Sequence, residues 1–148
     1  VLGAALDESA GRRDAATSAY RQILEIDPNN VVALNNLAFP LAVHQKMPAE
    51  GLVFARRAVT AAPNNPTVLD TLAWIQHLLG DDASAAKLMQ EVVRTNTLNP
   101  EIRLHAAIVF AAAGQRTPAQ TQLAFALKLN PTLANSPDVK QLQAQLAK

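Results

Sequence analysis

The feature that most constrains this chain is a resemblance to itself at a fixed spacing. Pro66 and Pro100 lie 34 residues apart, as do Gly80 and Gly114, and Ala85 and Ala119. The phrase Ala61-Ala62-Pro63-Asn64-Asn65 closes one unit, Asp27-Pro28-Asn29-Asn30 closes the one before it, and Leu129-Asn130-Pro131 closes the last. A period of this length marks a supersecondary unit that cannot bury its apolar face alone and must stack on its neighbours. The 148 residues hold about four such units.

Within a unit the apolar residues recur at helical spacing. Leu69, Leu72, Ala73 and Gln76 share one face, Gly80 ends the run, and Ala85, Leu88, Met89, Val92 and Val93 form a second face. The next unit repeats this with Leu104, Ala107, Ile108 and Ala111, then Gly114, then Ala119, Leu123, Ala126 and Leu127. Offsets of three and four residues place these side chains on one helix stripe, and glycine suits the left-handed residue where a helix ends. Helices are therefore expected over residues 14–26, 31–45, 49–61, 66–79, 82–95, 100–113 and 117–129, with a truncated opening helix over 1–10. Pro40 falls inside one of them, where it removes an amide donor and crowds the carbonyl of Asn36. Either the helix kinks there or the proline tilts Phe39. After the last unit, Ser136-Pro137-Asp138 is a helix start, with a hydroxyl cap, a proline and an acid in the first turn. Val139, Leu142 and Leu146 then form a stripe expected to cover the open side of the last unit.

Composition narrows the function classes. Thirteen Lys+Arg stand against 12 Asp+Glu, a net charge of +1, and only the pairs Arg12-Arg13 and Arg56-Arg57 cluster. That does not provide the basic surface needed to neutralise phosphates, so no nucleic-acid partner is expected. Without cysteine, disulfides, thiolate metal sites and cysteine catalysis are excluded. No apolar run reaches the roughly 20 residues of a membrane span. Val1 opens the sequence without a preceding signal, so any leader or anchor is expected to lie upstream.

These residues resemble the tetratricopeptide repeat family, whose units carry a small residue and a glycine mid-unit, alanines in the second helix and a closing proline. The matching small positions are Ala38, Ala73 and Ala107 in first helices, and Ala16, Ala85 and Ala119 in second helices, followed by Ile23, Ala58, Val92 and Ala126. Closing prolines are Pro28, Pro63 and Pro131. Thr97 replaces one closing proline, Gly51 replaces an alanine, and the first two units each run one residue longer at the inner turn. The resemblance implies an all-α, right-handed superhelix. Its repeat array covers residues 1–131, in units of about 1–30, 31–65, 66–99 and 100–131, and a capping helix occupies 132–148. A narrower likeness, in Asn35-Asn36-Leu37-Ala38-Phe39, Val68-Leu69-Asp70-Thr71-Leu72-Ala73-Trp74-Ile75 and, one unit later, Asn99-Pro100-Glu101-Ile102-Arg103, is to bacterial repeat proteins associated with exosortase and exopolysaccharide export. It implies the bacterial cytoplasm or envelope.

In that family the first helices line a concave groove. Carried over, the groove positions are Val32, Asn35, Phe39 and Val43, with Ala42; then Thr67, Asp70, Trp74, His77 and Leu78; then Glu101, Leu104 and Ile108, with Ala111 and Ala112. Spacing supports this for Asp70, Trp74 and His77, which lie at i, i+4 and i+7, off the stripe of Leu69, Leu72 and Ala73. Phe39, Trp74 and Ile108 either present a binding face or pack against one another across neighbouring helices. The carboxylate clamp of chaperone-type members is absent, because Thr67 and Thr71 stand where it needs basic residues. Catalysis finds little to work with in His44, His77, His105, Asp70, Asp81 and Asp82. Asp70 and His105 are expected to meet as a structural hydrogen-bonded pair. The expected role is therefore a non-catalytic module that binds an apolar or amphipathic protein segment and needs no cofactor or metal. The alternative is an architectural spacer or self-association segment of a larger repeat protein, with Val1, Leu2 and Leu6 of the truncated first unit as the apolar surface for self-association.

Overall fold

In a computed structural model of the chain, the backbone of residues 2–148 and the side chains of residues 11–148 are described. Eight α-helices follow one another: α1 (Leu2–Ile26), α2 (Val31–Val43), α3 (Pro48–Ala61), α4 (Pro66–Leu78), α5 (Asp82–Arg94), α6 (Pro100–Ala112), α7 (Arg116–Leu129) and α8 (Pro137–Leu146). A short 3₁₀ turn, Pro131–Asn135, joins α7 to α8, and the described residues contain no strand. The helices expected for α2 to α7 agree with these to within two residues at each end, whereas the capping segment expected as a helix over 132–148 opens with the 3₁₀ turn and becomes α-helical only at Pro137, behind the Ser136 cap. The start differs: α1 is one continuous helix, not a short opening helix followed by another from residue 14. Nothing in its sequence stops it, since no proline lies between Leu2 and Ile26 and Gly11 is its only glycine beyond the first turn. Val1, Leu2 and Leu6, to which self-association is assigned, lie outside the described side chains.

The phrases that close one unit also start the next. Asn30 Oδ1 accepts the amide of Ala33 at 3.0 Å, Asn65 Oδ1 those of Thr67 and Val68, and Asn99 Oδ1 those of Glu101 and Ile102. Each asparagine satisfies amide donors that a helix start leaves open. At the other end of the first helices, Gly80 and Gly114 have φ of +84° and +78°. Lys46, at φ +53°, takes the same left-handed role in the unit that has no glycine there. Asn30 and Lys46 are 16 residues apart, whereas Asn65 to Gly80 and Asn99 to Gly114 span 15. The extra residue is accommodated beside Pro40, whose carbonyl accepts both the His44 and the Gln45 amides.

Helices pack as the pairs α2–α3, α4–α5 and α6–α7, and α3 and α5 also pack on the first helix of the unit that follows. First helices touch each other, α2 with α4 and α4 with α6, while α3, α5 and α7 make no close backbone approach to one another. That asymmetry curves the stack, with the first helices inside and the second helices splayed outside. Alanines set the spacing, since Ala38, Ala55, Ala58, Ala73, Ala85, Ala107, Ala119 and Ala126 are all fully buried. Gly51 replaces an alanine because a Cβ there would lie 2.7 Å from the Ala38 carbonyl oxygen. Thr97 is held in a different way from the closing prolines: buried Arg103 donates from Nε to its carbonyl and from Nη1 to Gln122 Oε1, and lies over the Phe125 ring. Two expected packing positions are not packed. Ala16 and Ile23 are exposed because the backbone of α1 lies close to α2 alone. At the far end Val139, Leu142 and Leu146 of α8 are buried against the last unit, and Arg116 donates to the Leu146 carbonyl.

Candidate functional site: the concave face

The inner face formed by α2, α4 and α6 holds two hollows. The larger, about 500 Å³, is floored by Asn35, Asn36 and Phe39 of α2, Thr67, Asp70 and Thr71 of α4, and Glu101, Ile102 and His105 of α6. Thr17 and Tyr20 of α1 wall it, and the Tyr20 hydroxyl accepts a hydrogen bond from Asn36 Nδ2 at 3.1 Å. The second, about 340 Å³, lies between Trp74 and His77 of α4, Ile108 and Ala112 of α6, and Asp138, Gln141, Leu142 and Gln145 of α8. The capping helix is thus also a wall of the groove.

A ring pair forms the ridge between the hollows. The His105 ring stacks on Trp74 with centroids 4.3 Å apart and planes at 23°. Its Nδ1 donates to Asp70, 2.9 Å from Oδ1 and 3.1 Å from Oδ2, which ties α6 to α4. Burial pushes the Asp70 carboxyl up, against the opposing pull of the His105 bond and charge. For His105 burial favours the neutral ring, but the hydrogen bond and charge of Asp70, helped by Glu101 and Asp138, outweigh it and raise the histidine. Trp74 also lies 5.0 Å from the His77 ring, and His77 Nδ1 bonds Asp82 at 2.6 Å. Both of these histidines are therefore occupied by carboxylates. Asn35 Oδ1, in contrast, is a buried acceptor without a hydrogen-bond partner. Such an atom costs stability.

The structure divides the expected groove residues. Asn35, Phe39, Thr67, Asp70 and Glu101 line the first hollow, and Trp74, His77 and Ile108 the second. Leu104 lies in the core, 6% exposed, because the groove stripe of α6 runs through Glu101, His105 and Ile108. Val43 packs half-buried against the cluster of Ala38, Ala42 and Ala55. Val32 and Leu78 are exposed but line neither hollow. The contribution of α1 is not visible in the repeat pattern, although Tyr20, the only tyrosine, is its one conspicuous signal. His105 is legible in the sequence as the partner of Asp70 but not as groove floor.

No family model matches the chain, and no curated protein matches it either. Solved structures do. A structure of MamA is 18% identical with a TM-score of 0.73, covering 95% of this chain and 85% of that one. TTC0263, a thermophilic TPR protein of Thermus thermophilus, is 17% identical with a TM-score of 0.70, over 95% and 76% of the two chains. YrrB, described as a TPR protein with an unusual peptide-binding site, is 20% identical with a TM-score of 0.67, over 97% and 80%. These likenesses establish the fold: the chain is an all-α solenoid of the tetratricopeptide-repeat type.

Proposed function

From that fold as premise, we propose that this chain is a non-catalytic scaffold whose concave face docks a segment of another protein. The observation that carries the reading is the two-part groove, in which Phe39, Trp74 and Ile108 remain partly exposed. A folded chain that leaves aromatic surface along one concave face, beside polar side chains, has the means to bind the side chains of a guest. The peptide-binding site named for YrrB, a neighbour in fold, is consistent with such use. The occupant is a mixed apolar and polar stretch, because both hollows mix apolar walls with amides and carboxylates. A place in the bacterial envelope or in exopolysaccharide export is supported by the sequence phrases around Asn35, Asp70 and Asn99.

Site-specific crosslinking tests this reading. A photoreactive residue at exposed Thr67 should capture a guest, whereas one at exposed Glu91 on α5 should not. Equal capture from both positions, or capture from Glu91 alone, would sink the groove reading. A second reading, self-association, is favoured by Ile26, 89% exposed at the end of α1, and by half-exposed Ile23. Sedimentation of wild type and Ile23→Gln/Ile26→Gln decides it: a dimer lost in the variant supports that reading, and a monomeric wild type removes it.

A further inference from the structure

The charges of this molecule are unevenly placed. The whole chain carries +1, yet the groove has the opposite sign. Helix α2 has no charged residue at all. Helix α4 supplies one carboxylate, Asp70, and a histidine already bonded to Asp82. On α6, Glu101 and His105 face the first hollow, while Arg103 is turned away toward Gln122 and Phe125. Asp138 of α8 lines the second hollow. Among the described residues, Arg13 of α1 is the one basic side chain at the lip of the first hollow, and it is itself engaged in an interaction. Three carboxylates of the described residues thus face the groove. His105, the side chain set among Asp70, Glu101 and Asp138, responds to all three by holding its proton more tightly.

We propose that the guest of the first hollow is a basic segment, with a lysine or arginine head at Glu101 and an adjoining apolar side chain against Phe39 and Tyr20. This rests on the groove reading above and names the chemistry of the partner. Glu101 is exposed on the first turn of α6, where a long cationic side chain can reach it without desolvating a buried charge. The stem of that side chain has Phe39 and Ile102 to lie on, as amphipathic side chains prefer. An acidic guest would meet Asp70 and Glu101 with only His105 and the engaged Arg13 to offset them, and like charges placed together exclude wrong partners. Acidification should also weaken binding. His105 gains charge and Asp70 loses its own, with Glu101, Tyr20 and Arg13 also facing the hollow, Asp138 lining the neighbouring one and His77 adjoining through Trp74.

The test is selection of random displayed peptides with blocked termini on the whole chain, followed by titration of the selected peptides. The expected result is binders rich in Lys or Arg next to apolar residues, which shift the NMR signals of Tyr20 and Phe39. Glu101→Gln should weaken them about fivefold, Glu101→Lys should weaken them further, and added salt should do the same. Binding should also lower the pH at which His105 titrates, since proton and guest compete reciprocally. If groove-bound peptides are acidic or neutral and indifferent to Glu101→Gln, the charge inference is overturned and the groove reading stands. If selected peptides leave the Tyr20 and Phe39 signals unmoved, both are overturned.

Discussion

The two ends of this solenoid are finished differently. At the C-terminal end α8 lays Val139, Leu142 and Leu146 on the last unit and buries all three. At the N-terminal end the backbone of α1 approaches α2 alone. It is held by the Asn36–Tyr20 bond, by an Arg21–Glu50 ion pair at 2.8 Å that reaches α3, and by a bond from Arg57 to the Pro28 carbonyl just beyond it. One end is sealed by three fully packed side chains, and the other by half-buried Tyr20 and Leu24 together with polar contacts, of which the exposed ion pair is worth little. In a quasi-one-dimensional fold each unit is stabilised only by its neighbours. The same kind of helix is therefore a firm cap at one end and a weakly held wall of the groove at the other.

The largest expected effect separates the two ends directly. Leu142→Ala removes buried packing and should cost about 2–5 kcal/mol. Ile23→Ala, at a side chain already 39% exposed, should cost less than about 1 kcal/mol by the same bookkeeping. Urea denaturation of both variants makes the comparison, and equal losses would mean that α1 is as firmly docked as α8.

A smaller pair of effects compares unit two with its successors. Gly51→Ala drives a methyl to within 2.7 Å of the Ala38 carbonyl oxygen and should cost about 1–3 kcal/mol. Lys46→Gly should act in the opposite sense, because at φ +53° a glycine relieves about 1 kcal/mol of left-handed strain. Thermal unfolding should then show the melting point falling in the first variant and rising in the second. A neutral Gly51→Ala would show that α2 and α3 can separate at no cost.

What the sequence discloses follows the same divide. From α2 to α8 most helices are framed by local signals: an asparagine cap, a proline at the start, or a glycine at the end. Periodicity then identifies Ala38, Ala73, Ala85 and Ala107 as packing positions. The period is silent about how far a helix runs when nothing stops it, so it divides α1 into two pieces that the structure joins. The groove is legible where the stripe is unambiguous, at Asp70 and Trp74. On α6 the pattern points to the wrong residue, because Leu104 and His105 are adjacent and a shift of one residue turns the side chain by about 100°. Tyr20 belongs to a second helix, a class the repeat assigns to the outer layer, and only the position of α1 at the open end of the stack brings it to the groove.

The ridge between the hollows provides the smallest and most specific test, since it joins α4 to α6 through the coupled pair Asp70–His105. In the folded chain His105 holds its proton above the ordinary histidine value, and Asp70 holds its own above the ordinary carboxylate value. A group whose folded value is raised contributes stability that is fully present below its unfolded value and is lost as pH rises through the folded one. Both partners therefore act in the same direction. The stability due to His105 should be complete below about pH 6.5 and should decline above it as the ring deprotonates. The contribution of Asp70 should decline over a lower range that begins near its unfolded value of 3.8. Urea midpoints should fall from about pH 6 to about pH 8 in the wild type and should change less in His105→Gln. Trp74 stacks on the same ring, so its fluorescence should titrate with that slope and lose the titration in the variant. A Trp74 signal that still titrates in His105→Gln would separate the ridge from the pH dependence.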